Sequence, residues 1–273
     1  MTLKEAYDYG VYFLSANGVD EAEFKSLCLV CHLDGIKNSE FEFHKNDDII
    51  MKKFADLLWQ LKSGEPLQYV LGKWDFYESE FFVGEGVLIP RPETEELTDF
   101  AVKTAKEKKA PVVIDLCSGS GCIGISIAKA VSDAKVYLVE KSKDAFEYLL
   151  KNAEGVPNVI SLNNDIYDLP EIEKADIIVS NPPYIKSSDI SSLQAEVQKE
   201  PSAALDGGKD GLDFYRFIAG NYKAYLKDAG SLLFEIGDEQ GEAVSDILQN
   251  NGYKDIEIKK DLYGNIRMAV CHK

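Results

Sequence analysis

Through the first 73 residues the apolar positions recur with helical spacing. Leu3, Ala6, Tyr7, Val11 and Leu14 fall on one side of a 3.6-residue period, and Thr2 with Glu5 forms a capping box ahead of them. Asn17-Gly18 predicts the end of that helix. Asp20 with Glu23 repeats the capping signal before Phe24, Leu27, Cys28 and Cys31. A further helix is predicted from about Asp48 to Ser63, stopped by Gly64 and Pro66. These elements make a small helical bundle.

Between residues 74 and 90 the period changes. Trp74, Phe76, Tyr77, Phe81, Phe82 and Val83 predict two short strands before Gly84, Gly86 and Pro90, which reads as a β-hairpin linker. Its aromatics either cover the edge of a core or contact a partner. From Thr94 onward β-rich runs alternate with helical stretches: Val112 to Leu116, Val136 to Glu140, Val159 to Leu162 and Ile177 to Ser180. That alternation predicts a parallel α/β sheet. Ser231 to Ile236 adds a fifth strand, and Ile256 to Lys259 with Ile266 to Val270 predicts a closing antiparallel pair. The expected organisation is a helical domain over 1–73, a linker over 74–90 and an α/β domain over 91–273.

A chain of 273 residues with 45% apolar composition can bury one large core and one small one. No run approaches the roughly 18 apolar residues of a membrane span, and the start lacks a cationic segment followed by an apolar one. The expectation is a cytoplasmic monomer. Its formal charge of -17 is spread along the sequence and repels phosphate backbones, so extended nucleic acid is disfavoured as substrate. The helical segment itself carries eight lysines against twelve acids. The five cysteines, odd in number, point to reduced thiols. Cys28-Leu29-Val30-Cys31-His32 has the spacing of a haem attachment site but falls within a helix, where two buried thiols account for it, and no metal is expected.

Asp115-Leu116-Cys117-Ser118-Gly119-Ser120-Gly121-Cys122-Ile123-Gly124 places a glycine loop between a strand and a helix. Without Cβ atoms the loop admits a ligand to bare backbone, and the helix terminus offers free N–H groups. Glu140 ends the next strand, sixteen residues after Gly124, where a carboxylate accepts from both ribose hydroxyls of an adenosine. Nicotinamide dinucleotides and S-adenosylmethionine both use such a carboxylate. Asp165 is a candidate acceptor for the adenine amino group, with Ile166 against the ring, although Asp also commonly starts a turn.

Asp176-Ile177-Ile178-Val179-Ser180-Asn181-Pro182-Pro183-Tyr184 is a buried strand running into a polar residue, two prolines and an aromatic ring. Each proline fixes its own φ and pushes its predecessor toward an extended conformation, so Asn181 and the Pro182 carbonyl are held before substrate arrives. An amide nitrogen is a poor nucleophile. Two fixed acceptors, the Asn181 side-chain oxygen and the Pro182 carbonyl, can bind its two N–H protons and aim its lone pair at a methyl sulfonium. Tyr184 would stack on the planar group, and positive charge growing on nitrogen is stabilised by the same oxygens. The alternative is a turn or a ligand for proline-binding modules, which its place directly after an apolar strand disfavours.

With these motifs the chain resembles the class I S-adenosylmethionine-dependent methyltransferases, and within them the HemK/PrmC family of protein-glutamine methyltransferases. Gly64-Glu65-Pro66-Leu67-Gln68-Tyr69-Val70-Leu71-Gly72 and Gly86-Val87-Leu88-Ile89-Pro90-Arg91-Pro92-Glu93-Thr94-Glu95 carry the resemblance. Glu200-Pro201, Ala204-Leu205, Gly207-Gly208, Asp210 to Tyr215 and Glu235-Ile236-Gly237 extend it over nearly the whole chain. It implies a Rossmann-like, mostly parallel sheet with an antiparallel last strand, preceded by a helical substrate-recognition domain. The implied substrate is the glutamine of the Gly-Gly-Gln motif in peptide chain release factors, a protein partner. The implied cofactor residues are Cys117, Ser118, Gly119, Ser120, Gly121, Glu140, Ile166 and Asn181, and the nitrogen pocket is Asn181, Pro182, Pro183 and Tyr184, with Asn181, Pro182 and Tyr184 as catalytic residues. Cys117 stands where the family usually has glycine, and Asp261 to Arg267 where it carries a more charged turn. Arg91 and Glu93 either order the cofactor lid or substrate entrance, or cap the helix beginning near Thr94. The rival readings are a nucleic-acid base methyltransferase, a nucleotide-binding module without catalysis, and a nicotinamide dehydrogenase.

Overall fold

The computed structural model describes residues 1–48 and 51–273. They form two compact units, one of residues 1–73 with 194–199, the other of 74–193 with 200–273.

The smaller unit holds helices α1 (Leu3–Ala16), α2 (Ala22–Asp34), α3 (Phe41–His44), α4 (Met51–Lys62) and α5 (Leu67–Leu71). At the start of α1 both halves of the predicted capping box form: Glu5 N donates to Thr2 Oγ1 at 3.2 Å, and Thr2 N to Glu5 Oε2 at 3.0 Å. The second box does not form. Glu21, just ahead of α2, sits at φ 53°, and this left-handed residue replaces the extended N-cap geometry a capping box needs. The helix expected from Asp48 is present as α4, with Ile49 and Ile50 outside the described residues. Helix α5, between Pro66 and Gly72, is too short to show periodicity and was not expected. A Cβ on Gly10 would lie 2.2 Å from Ser26 Oγ, so α1 meets α2 almost at backbone distance. Lys25, 4% exposed, reaches Glu196 Oε1 at 2.5 Å and ties segment 194–199 to the bundle. Cys28 and Cys31 are buried on α2, and burial pushes the Cys31 thiol up to about 11.

In the larger unit, β1 (Lys73–Phe76) and β2 (Ser79–Phe82) form a two-stranded sheet. Phe76 and Phe81 are buried, meet edge to face at 6.0 Å and join the main core, so these two aromatics cover a core edge. The remaining elements are α6 (Pro92–Lys106), β3 (Val112–Leu116), α7 (Cys122–Ala130), β4 (Lys135–Glu140), α8 (Lys143–Asn152), β5 (Val159–Asn163) and β6 (Ala175–Ser180). They continue with α9 (Asp213–Asn221), β7 (Leu226–Glu235), α10 (Gly241–Asn250), β8 (Lys254–Lys260) and β9 (Ile266–His272).

Seven strands form one sheet in the order β5-β4-β3-β6-β7-β9-β8, parallel except for β9, which runs antiparallel to both neighbours. The last strand therefore inserts inside the sheet and leaves β8 at its edge. Alternate side chains divide the core. Val113, Leu138, Ile177 and Val179 pack with Leu97 of α6, Ile123 of α7 and Leu149 of α8, while Ile114, Val139, Ile178 and Phe234 pack with Tyr215 of α9 and Leu248 of α10. Strand β7 begins five residues earlier than its apolar run predicts, at Leu226. An irregularity in its pairing with β6 and a left-handed Ala229 (φ 58°) bring the polar residues Lys227 and Asp228 into the strand. The order reverses between β3 and its neighbours β4 and β6, which opens a crevice at the strands' carboxyl ends.

Candidate active site

A cavity of about 680 Å³ occupies that crevice. Cys117 after β3, Glu140 ending β4, Asp165 after β5 and Asn181 after β6 all line it, as do Ser118, Gly119, Ser120 and Ile166. Of the residues expected to bind cofactor, Gly121 alone is outside the lining; it precedes α7 in a left-handed conformation (φ 82°).

The glycine loop is built by its own hydrogen bonds. Ser118 Oγ donates to the Asp115 carbonyl at 2.8 Å, and Glu140 spans the loop, accepting from Gly119 N at 2.8 Å and Ser142 N at 2.6 Å. The Lys141 amide also bonds this carboxylate, so Glu140 is held by three backbone N–H groups. Burial raises the acid's proton affinity, and these amides work against it. Asp115 is fully buried and pushed up to about 8, first by desolvation; its Oδ2 accepts from Gly124 N at 3.0 Å. Cys117 holds a left-handed conformation, φ 58°, which accounts for the family's usual glycine here. Cys117→Gly is expected to stabilise the fold by about 0.5 kcal/mol after allowance for the freer unfolded chain, read from urea midpoints at unchanged m.

The lining carries four carboxylates and two cations. Its two cations are already paired, Arg91 with the buried Glu200, and Lys141 with Asp165 Oδ2 at 2.7 Å. Partial burial raises the Asp165 acid, but Lys141 and the Tyr167 amide outweigh it and hold its pKa below the usual range. A sulfonium with a ribose diol and an ammonium group suits the carboxylates and carbonyls of this lining. The residues fit S-adenosylmethionine.

The Asn181 segment is fixed from several sides. Ser180 Oγ donates to the Leu116 carbonyl at 2.7 Å, which locks β6 to β3. Asn181 Nδ2 donates to Thr94 Oγ1 at 3.2 Å, and Thr94 Oγ1 to Glu235 Oε2 at 2.6 Å. Beyond the prolines, Gln240 Nε2 donates to the Tyr184 carbonyl at 2.9 Å and to that of Gly211 at 3.1 Å. Asn181 and Pro183 line the cavity; Pro182 and Tyr184 do not. Tyr184 is partly buried against the second core, and its phenol is pushed up to about 12, mainly by burial. Arg91 makes no side-chain cap for α6. Glu200 instead accepts from Arg91 and from Ile89 N, the latter at 2.9 Å, and clasps one wall of the cavity, while Glu93 lies in the first turn of α6.

No site role is assigned from the sequence to Thr94, Glu200, Glu235 or Gln240, although the first three stand in segments that carry the family resemblance. One signal was available for Glu235: a carboxylate directly after the apolar run Leu232-Leu233-Phe234.

Comparison with known proteins places the chain. A family model described as PrmC N-terminal domain matches residues 5–72, and one described as Methyltransferase small domain matches 92–209. The release factor glutamine methyltransferase of Thermodesulfovibrio yellowstonii is 36% identical over 253 residues, 90% of each chain. That of Clostridium acetobutylicum is 40% identical over 242 residues, 86% of this chain and 84% of its own. This chain belongs to the release factor glutamine methyltransferase family. It is a methyltransferase, and its methyl donor is S-adenosylmethionine. The resemblance to the HemK/PrmC family is borne out, as is the class I fold. Among solved structures, the hMettl16 catalytic domain superposes with a TM-score of 0.58 at 16% identity, covering 78% of this chain and 81% of that one, a likeness of fold. No helix among the described residues of this family member is long and apolar enough to cross a membrane.

Proposed function

We propose that this enzyme methylates the side-chain amide nitrogen of the glutamine in the Gly-Gly-Gln motif of peptide chain release factors, tuning translation termination. The observation that carries the reading is the orientation of Asn181. Its nitrogen is engaged by Thr94, so its oxygen is left for a donor, and an acceptor at that position suits an amide N–H. The relatives at 36 and 40% identity, both named release factor glutamine methyltransferase, support the same substrate.

When bound, S-adenosylmethionine supplies an electrophilic methyl group on a sulfonium. Glu140 would hold the ribose hydroxyls, Asp165 and Ile166 the adenine, and the loop from Cys117 to Gly121 the amino-acid end. Asn181 Oδ1 and the Pro182 carbonyl accept the two N–H protons of the glutamine amide, and Tyr184 and Pro183 border its plane. This costs the amide no deprotonation before transfer. Positive charge developing on nitrogen meets two oxygens that are already oriented, and the surplus proton leaves to water afterwards. Residues 1–73 serve substrate recognition and 74–90 link them to the catalytic domain of 91–273, in a cytoplasmic monomer that acts on protein and has no direct nucleic-acid substrate.

Incubation with methyl-labelled S-adenosylmethionine and a purified release factor is expected to label the protein, with a mass gain of one methyl on the Gly-Gly-Gln peptide. A Gly-Gly-Ala release factor is expected to stay unlabelled. Label entering tRNA or DNA in place of the release factor would reject the protein-substrate reading.

A further inference from the structure

The proposed chemistry needs the Asn181 amide to face one way, and nothing in an amide's shape decides which way that is. Its oxygen and nitrogen ends are nearly the same size. The choice has to come from what each end touches.

Asn181 Nδ2 lies 3.2 Å from Thr94 Oγ1, and that oxygen lies 2.6 Å from Glu235 Oε2. Thr94 and Glu235 are 2% and 3% exposed, so water does not compete. A threonine hydroxyl has a single proton. A carboxylate only accepts, so that proton points at Glu235 in a charge-assisted bond and the lone pairs of Thr94 are left facing Asn181. An amide oxygen turned to those lone pairs would meet repulsion. The amide nitrogen is therefore drawn there, and Oδ1 is turned away. Resting on the proposed amide-methylation reading, we infer that Thr94 and Glu235 are positioning residues for that reaction: an ionised Glu235 accepts from the Asn181 amide directly and also fixes the Thr94 proton, and both contacts turn the Asn181 oxygen to receive the substrate amide.

The arrangement has a second state. If Glu235 takes a proton it can donate to Thr94, whose own proton then turns to Asn181. The Asn181 amide flips and presents N–H groups where an acceptor is needed. The groups facing Glu235 are Glu93 of α6, Cys122 of α7, Tyr184, Tyr215 of α9 and Arg267 of β9, with Asn181 itself hydrogen-bonding to it. Burial dominates this balance and pushes Glu235 up to about 7; Glu93 raises it further, while Thr94, Arg267 and Asn181 oppose. Turnover is thus expected to rise with pH through about 7 as Glu235 ionises. Neither a glutamine amide nor a sulfonium titrates in that window, and Glu235→Gln separates this limb from the cofactor's α-amino group and from Asp115, which titrate at about 8.

The test compares the wild type with Thr94→Val, Thr94→Ser and Glu235→Gln. Thr94→Val keeps the volume and loses the hydroxyl; it is expected to lower kcat about 30-fold, with cofactor affinity within about twofold. Thr94→Ser restores most of that loss, which a packing role for the threonine methyl would not allow. Glu235→Gln is expected to lose the limb near pH 7. In parallel, the side-chain 15N–1H signals of Asn181, assigned by their loss in Asn181→Ala, are followed from pH 5.5 to 8.5 without substrate. They are expected to shift with an apparent pKa near that limb in the wild type and to stay still in Glu235→Gln. Wild-type kcat in Thr94→Val, a limb that survives Glu235→Gln, or Asn181 signals insensitive to pH would each overturn the relay. A wild type that methylates no release factor or peptide would instead overturn the substrate reading, and the Asn181 titration would still decide the relay.

Discussion

Asn181→Ala is expected to lower the rate of methyl transfer about 1000-fold while leaving cofactor binding within a few-fold of wild type. The loss is large because the deleted oxygen interacts most strongly in the transition state. A neutral glutamine amide makes an ordinary hydrogen bond to Oδ1, but the same amide carrying developing positive charge makes a charge-assisted one, and only that difference accelerates the chemistry. Removing one oriented group of this kind typically costs about 100- to 1000-fold in kcat. Alanine adds a second cost by taking away the amide that Thr94 accepts from. Single-turnover transfer with saturating cofactor, beside a direct measurement of cofactor affinity, separates the two contributions. An Asn181→Ala enzyme within about tenfold of wild type would show that the Pro182 carbonyl and proximity alone carry the reaction. Asn181→Asp is no rescue: it sets a second carboxylate near Thr94 and the buried Glu235, and like charges there drive proton uptake.

The architecture and the cavity were legible in the sequence because both are written in short, local patterns. Val112 to Ile114 and Ile177 to Val179 are uninterrupted apolar runs, as strands covered on both faces tend to be, and the glycine loop and Glu140 sit directly at strand ends. What the sequence hid lies in contacts between distant segments. Thr94 and Glu235 are 141 residues apart and Arg91 and Glu200 are 109 apart; the segments that hold them were readable, but the pairing exists only once the fold brings each to its partner. Asp20 failed as a cap for the opposite reason. Its local pattern was right, but the left-handed Glu21 intervened. Tyr184 is a mixed case, since its position after the prolines was readable whereas its packing outside the cavity lining depends on the loop that crosses it.

That loop supplies the other large expected effect. Gly207→Ala should cost about 2 kcal/mol of stability and reduce methyl transfer about 100-fold, with cofactor affinity much less affected. A Cβ built on Gly207 would lie 2.7 Å from Tyr184 Cα, 2.8 Å from the Pro183 carbonyl oxygen and 2.9 Å from Gly211 Cα. All three are backbone atoms, so no side chain can swing aside, and relief has to come from moving one strand of chain off the other. The movable partner is held: Ile185 N donates to the Leu205 carbonyl at 2.9 Å, and Gly207 N to that of Ile185 at 2.8 Å. Forcing one methyl group into such a contact typically costs about 1–3 kcal/mol. The displacement falls on Pro183 and Tyr184, at the end of the segment that fixes the Pro182 carbonyl, and a misplacement of about 1 Å there is enough for a 100-fold loss. The cofactor side is less affected because Glu140 and the glycine loop stand on β3, β4 and α7 and share no hydrogen bond with residues 205–211 among those described, and Asp206 and Gly208 only border the same cavity. Gly207→Ala that lowered cofactor affinity as much as turnover, with thermal unfolding unchanged, would show that the loop acts through the cavity wall and remove its assigned role of bracing the Asn181 segment.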